Sequence, residues 1–260
     1  MNKLTDNFLL YNAPQSTCSQ RVRFVLNSKD INFKEVKLDL FSGDQLKPEY
    51  LKINPNGVVP ALKHEENIIL DSAVIIEYID ECFPETHPFT PTDYAEKAYM
   101  RWMMRYIDEI PTPAIRFPSY NLAFLPHFKQ MSEEEFVALA NSKPLRKEFL
   151  LSMGRTGFSE QDMNQALDKL KRAIHRMDEW ISQSGGPWLM GKYISLADVA
   201  IMPVVVRMDD INLDDYWSNL PNISNWLELI KNHPSYKKTY YTGSLLTEKY
   251  PHLSSLKKTK

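Results

Sequence analysis

The segment Pro14-Gln15-Ser16-Thr17-Cys18-Ser19-Gln20-Arg21-Val22-Arg23 constrains this chain more than any other. It follows a short apolar run, Phe8-Leu9-Leu10-Tyr11, that reads as a strand. It precedes Val22, Val25 and Leu26, which share one face at helical spacing. A hydroxyl- and thiol-rich turn therefore sits where a strand hands over to a helix. Backbone N–H groups and the positive end of the helix dipole converge at such a place and favour an anion. Cysteines at the positions of Ser16 and Ser19 would make a Cys-x-x-Cys motif. Serine cannot exchange disulfides, but its hydroxyl can donate a hydrogen bond to a thiolate.

The chain around this turn alternates between the two periods. Strands are expected at 8–11, about 33–37, about 60–64 and about 68–70, and helices at about 18–29, 44–52 and 72–82. A short polar turn joins the last two strands, which predicts an antiparallel hairpin. The result is a βαβ unit followed by a ββα unit. The segment Phe83–Pro91 holds three prolines in nine residues and reads as a rigid linker. Beyond it the pattern is helical: a long segment over 93–110 ended by Pro111 and Pro113, then an aromatic, proline-broken and partly irregular stretch over 111–131. Ser132 with Glu135 forms a capping box. Further helices are expected from Ser159 to about Ile181, from Ser195, over Trp226 to Lys231, and near Ser235. The expected division is 1–83, an α/β domain; 84–92, a linker; and 93–260, an all-α domain.

Composition narrows the class. The 260 residues are 43% hydrophobic with formal charge −2 and scattered Lys and Arg, which gives no basis for nucleic-acid binding. The Lys257-Lys258 end reads as a solvated terminus. No run of about eighteen apolar residues exists to span a membrane, and Met1–Asn7 has no apolar signal core. Cys18 and Cys82, the only cysteines, read as reduced thiols of a cytoplasmic protein. Eight glycines are few for an all-β or glycine-rich nucleotide fold, and the six histidines show no metal-ligand spacing. No metal is expected.

Three pieces in order carry a family resemblance: the turn at 14–23, Asn54-Pro55-Asn56-Gly57-Val58-Val59-Pro60-Ala61-Leu62, and Leu70-Asp71-Ser72-Ala73-Val74-Ile75-Ile76-Glu77-Tyr78-Ile79. Together, over residues 8 to about 82, they resemble the glutathione-binding domain of the soluble glutathione transferases, with a turn most like the serine-type zeta, theta and delta classes. The resemblance implies a thioredoxin-like N-terminal domain followed by an all-α C-terminal domain, glutathione as co-substrate, and a homodimer. In the helical half, Tyr99-Met100-Arg101-Trp102, Ile107-Asp108-Glu109, Gln130–Phe136 and Arg155-Thr156-Gly157-Phe158 resemble bacterial glutathione-dependent β-aryl-etherases. The turn at Ser16–Arg21 does not match those etherases closely.

The residues can be read for chemistry beside this resemblance. A free thiol has a pKa of roughly 8.5, and a drop of about two units requires roughly 2.7 kcal/mol of preference for the thiolate. A hydrogen bond to a charged acceptor, about 1.5–3 kcal/mol, is of that size, and the helix terminus adds about 0.3–1. Ser16 is the candidate donor, its alternative being a plain helix cap. Thr17 and Cys18 are secondary candidates. Cys18 is either a thiol able to form a mixed disulfide or, the preferred reading, inert packing. Arg21 and Arg23 are read as surface or inter-domain residues, and the zeta class has arginine at both places.

The resemblance further implies a cis Val59–Pro60 bond that offers Val59's backbone to the cysteinyl part of glutathione. It implies Ser72 and the following helix N–H groups on the γ-glutamyl carboxylate, with Asp71 on its ammonium. Gln45 falls at the glycyl end. Gly57 stands where the delta class has a histidine ligand, and Lys47 is an alternative for that contact. Ser195 and Asp198 match the family's capping box in the helical domain and are assigned to stability, about 0.5–2 kcal/mol.

An acceptor site for a hydrophobic, aromatic electrophile is expected between the domains, with Met103, Met104, Tyr106, Ile107, Phe117 and Tyr120 as candidates. The expected activity is a glutathione S-transferase in which the Ser16-stabilised thiolate attacks the electrophile, β-aryl ether cleavage being one form. The alternatives are a zeta-like isomerase or dehalogenating transferase and, from another class, a non-catalytic glutathione-transferase-like binding protein.

Overall fold

Alternating burial along Phe8–Asn12 marks β1, whose Phe8, Leu10 and Asn12 point into the protein. The computed structural model describes residues 7–256; the Lys257-Lys258 end and residues 1–6 of the expected non-signal terminus lie outside the described residues. β1 leads into α1 (Thr17–Ser28), then β2 (Phe33–Lys37). A 3₁₀ turn (Asp44–Leu46) and a single helical turn, α2 (Pro48–Leu51), follow, then β3 (Ala61–His64), β4 (Asn67–Leu70) and α3 (Ser72–Cys82). The single helix expected over 44–52 is thus two pieces. Lys47, which precedes Pro48, is extended at φ −67°, ψ 144°, as the proline ring demands of its predecessor.

The sheet order is β2-β1-β3-β4. β1 runs parallel to β2 in register Phe8 to Phe33 and antiparallel to β3 in register Tyr11 to Ala61, and β3 and β4 form the expected hairpin. α1 and α3 cover one face, where Val22, Val25, Leu26, Ile75, Ile76 and Ile79 are all fully buried. On the other face Tyr50 of α2 packs with Ala13, Val59 and Ala61.

The helical half begins with α4 (Tyr94–Glu109), capped by Asp93, whose carboxylate accepts the N–H groups of Ala95 and Glu96. Residues 111–131 are more regular than expected: α5 (Pro111–Ala114), α6 (Arg116–Ala123) and α7 (Leu125–Phe128) follow almost without a break. Pro111, Pro118 and Pro126 each fall in the first turn of a helix, where a missing N–H costs nothing, so they segment the run without unwinding it. Then come α8 (Glu133–Asn141) with its reciprocal Ser132/Glu135 box, α9 (Lys147–Met153), α10 (Glu160–Ser184), α11 (Leu196–Asp210), α12 (Pro221–Asn232), α13 (Pro234–Thr239) and α14 (Leu246–Lys249). No helix among the described residues is long and apolar enough to cross a membrane.

α11 is the axis of the molecule. It is buried on nearly every side and packs against α1, α3 and α4. Its capping box does more than cap: Asp198, fully buried, accepts the N–H and hydroxyl of Ser195, the Leu189 N–H and the Trp226 indole N–H at 2.7–2.9 Å. The proline-rich connection is pinned as well. Buried Lys29 pairs with buried Asp80 at 2.7 Å and donates to the carbonyls of Phe83 and Thr86, while Asp80 accepts the Phe89 N–H.

Candidate active site

The turn between β1 and α1 is held by its own serines. Ser16 is the N-cap of α1: its Oγ accepts the Ser19 N–H at 3.2 Å, and its N–H donates to Ala13 O. Ser19 is buried, and its Oγ accepts the Ala13 N–H at 3.4 Å. The capping role therefore exists, and it uses an Oγ lone pair. The Ser16 hydrogen remains available, because a hydroxyl both accepts and donates. Thr17 and Cys18 are half-buried beside it, and their N–H groups pair with no other backbone group of the described residues. One hydroxyl and two amides thus converge at the positive end of α1.

Arginines fasten this turn to the helical half. Arg21, 2% exposed, donates to Ala200 O, Ser72 Oγ, Asp108 Oδ1 and Thr112 Oγ1 at 2.6–3.2 Å. Arg23, equally buried, donates to Asn12 Oδ1, Ala13 O, Pro14 O and Thr239 O. Arg207 of α11 reaches Gln15 O at 2.6 Å and Ser119 Oγ at 3.4 Å. Gln20 adds donations to Pro14 O and Ser244 O. Burial lowers the pKa of both Arg23 and Arg207 below the usual value. Arg21 and Arg23 are inter-domain residues and not surface ones. The signal in the sequence was a helix with arginines set among Val22, Phe24, Val25 and Leu26, which leaves no polar face for them to occupy. Nothing local marked Arg207 or Thr112, and nothing in the sequence joined Asp108 to Arg21.

The Val59–Pro60 bond is cis. Among the described residues no other backbone group pairs with the Val59 N–H or C=O. Just before it, Val58 O accepts both the Tyr50 hydroxyl at 2.7 Å and the Asn54 side-chain amide at 2.8 Å, so the strand end is fixed from behind. Gly57 has φ +60°, and a Cβ there would meet Leu46 Cδ2 at 3.0 Å; a histidine at this position would be strained. Lys47 is exposed and bound to Asp44 at 2.8 Å.

Gln45 is 4% exposed; its Nε2 donates to Leu40 O and its Oε1 has no partner among the described residues. At the start of α3, Asp71 is the N-cap with φ 70°, a backbone region that costs a non-glycine residue about 1–3 kcal/mol. Its carboxylate accepts the Ala73 and Val74 N–H groups. Those two amides are therefore already taken, and Ser72, whose Oγ accepts from Arg21, keeps its hydroxyl hydrogen and its own N–H.

The six acceptor-site candidates separate. Met103, Met104 and Ile107, at 1%, 3% and 0% exposure, fill the main core and line no cleft, because α4 turns that face onto α11. Tyr106 faces α10, edge-on to Trp180 and under the Arg176 guanidinium. Phe117 and Tyr120 stay half-buried on α6, in an aromatic group with Phe124, Phe149 and Phe158 at centroid distances of 4.4–5.3 Å. Across from them Phe41 of the sheet-bearing half lies 4.0 Å from the His127 ring and 6.4 Å from Phe124. No group of three or more metal-ligating side chains is assembled among the described residues.

A model of the glutathione S-transferase N-terminal domain matches residues 10–87, and one of the C-terminal domain matches residues 148–242. Glutathione S-transferase 1 of Dianthus caryophyllus is 29% identical over 202 residues, 78% of this chain and 77% of that protein. A zeta-class glutathione S-transferase of Euphorbia esula is 47% identical, but over 89 residues, 34% of this chain and 39% of that protein. The crystal structure of the β-etherase LigF from Sphingobium sp. strain SYK-6 superposes with a TM-score of 0.81 at 26% identity, covering 90% of this chain and 98% of that one. The sheet with its serine-capped turn and the helical half packed on it answer to the two models in the same order, and the chain belongs to the glutathione S-transferase family.

Proposed function

We propose that Ser16 donates its hydroxyl hydrogen to the thiolate of bound glutathione, and that this thiolate attacks the electrophilic carbon of an aromatic substrate, in its specific form a β-aryl ether. The C–S bond forms as the C–O bond breaks; the phenolate leaves with the bonding pair and takes its proton from water. The observation that carries this reading is the free hydrogen of Ser16, beside two unpaired amides at the N-terminus of α1. Val59's unpaired backbone would take the cysteinyl unit, Ser72 the γ-glutamyl carboxylate, Asp71 the ammonium and the Oε1 of Gln45 the glycyl N–H. Thr17 and Cys18 flank the sulfur. Phe117 and Tyr120 would form the acceptor wall. The likeness to a β-etherase over nearly its whole length supports the ether-cleaving form.

A zeta-like isomerase is the second reading, and the 47% identity to a zeta-class relative over 89 residues favours it. The test is phenol release from a model β-aryl ether with and without glutathione. Release that depends on glutathione is the expected result. No release, from protein that a glutathione matrix retains, would move the activity to another electrophile. Failure to be retained would favour a protein that does not use glutathione.

A homodimer belongs to the same proposal. Arg101 joins α4 to α3 through Glu77 at 2.7 Å and Glu81 at 3.3 Å, and the face so formed exposes Val74 (54%) and Trp102 (48%) with Tyr99 stacked on it. Covering that face with a second copy removes apolar area from water; light scattering should read twice the chain mass. The free thiols of Cys18 and Cys82 support a cytoplasmic setting.

A further inference from the structure

Arg116 is half-buried at the start of α6, yet it makes no hydrogen bond or ion pair to any described residue. This sets it apart from Arg21, Arg23 and Arg207, each of which is anchored to at least two acceptors. An arginine taken out of water without a partner is costly, and a protein keeps one where something else supplies the anion.

Its position says where that anion would sit. Ile115 between α5 and α6 has helical backbone angles, so residues 111–123 run as one nearly continuous helix. On it Thr112 is bonded to Arg21 of α1, and Ser119 is bonded through Arg207 to Gln15. Arg116 lies four residues after the first and three before the second, hence on the side that faces the turn carrying Ser16. The groups whose charges reach it are Arg146, Cys18, Tyr120 and Arg21, and none is a carboxylate. Burial, then the like charge of Arg146, hold its pKa below the usual value. Arg146 is itself half-buried, and among the described residues its guanidinium donates only to the carbonyl of its neighbour Leu145. Tyr120, on which both arginines act, stands edge-on to Phe149 at 4.9 Å.

We propose that Arg116, supported by Arg146, is an anion subsite of the acceptor cleft, and that the electrophile this enzyme takes is an aromatic compound bearing a carboxylate. A planar guanidinium fork beside aromatic rings suits a carboxylate attached to a ring. This rests on the reading of the cleft as a glutathione and acceptor site, and two unreactive thioethers separate the two claims. S-benzylglutathione probes the cleft; S-(4-carboxybenzyl)glutathione adds only the charge. By calorimetry the native protein binds the carboxylated thioether about tenfold or more tightly than the plain one. Arg116→Gln, which orphans no partner, brings the two affinities close together, and Arg116→Lys retains part of the preference.

Equal binding of both thioethers by the native protein overturns the subsite, as does a preference that survives in Arg116→Gln. If Arg116→Gln weakens both equally with the ratio unchanged, the arginine serves a carboxylate of glutathione itself and the proposal falls. Binding of neither thioether by the native protein would refute the glutathione site and the subsite with it.

Discussion

Arg21, Arg23 and Arg207 on the one hand, and Arg116 and Arg146 on the other, present the same guanidinium in opposite circumstances. The first three are enclosed and donate to carbonyls, hydroxyls and Asp108 from several elements. The other two are half-buried: among the described residues the Arg116 guanidinium has no hydrogen-bond partner and that of Arg146 has only its neighbour's carbonyl. The difference teaches how the two halves of the site are built. Around the turn at Ser16 the guanidinium groups are consumed in contacts that join α1 to the helical half. Arg116 and Arg146 are left over from those contacts, and on them the proposed anion subsite rests.

Stability measurements should break or sharpen this comparison most strongly. Arg21→Met strips donors from Ala200 O, Ser72, Thr112 and Asp108, and should cost about 3 kcal/mol in urea unfolding. Arg116→Met removes no hydrogen bond or ion pair to a described residue and should stay within about 0.5 kcal/mol of the native protein. Equal losses at the two positions would erase the distinction.

A middle-sized effect is expected behind Val59. Tyr50→Phe deletes one of the two donors to Val58 O, should cost about 1 kcal/mol, and should raise KM for glutathione severalfold with little change in kcat. A fall in kcat alone would place Tyr50 in the chemistry instead.

The smallest effect concerns pH. Burial holds His127, beside Phe41, and His233, whose Nδ1 accepts the Ser235 N–H, below the usual histidine pKa of 6.5. The unfolded chain then binds more protons than the folded one just below pH 6.5. Stability is therefore full above that pH and declines as pH falls through it toward the lowered folded values. His127→Phe should flatten part of that decline in thermal melts followed from pH 7.5 to 5.5. An unchanged slope would remove His127 from the account.

The sheet-bearing half was legible because its signals are local. Strand alternation, the serine turn and the Asp71-Ser72 cap each sit within a few residues of what they organise, whereas the cis Val59–Pro60 bond was expected from the family resemblance alone. Lys47 shows the limit even there, since the proline after it divided an expected helix in two. In the helical half the caps at Ser132, Ser159 and Ser195 were readable for the same reason. The side facing the cleft was not. Met103 and Ile107 share the periodicity of a pocket wall, but α11 covers them, and only the packing of a helix nearly a hundred residues later decides that. Likewise Arg207 and Gln15 meet across 192 residues, and no spacing in the sequence announces it.

The central claim is that the hydroxyl of Ser16, with the N-terminus of α1, stabilises the thiolate of glutathione. Ultraviolet titration of the thiolate in the binary complex tests it most directly, in the native protein and in Ser16→Ala. The bound thiol should titrate about two units under the free value of roughly 8.5, and in Ser16→Ala return most of the way toward that value with glutathione affinity kept within severalfold. A Ser16→Ala complex that titrates like the native one would contradict it and pass the role to Thr17 or to the backbone amides alone.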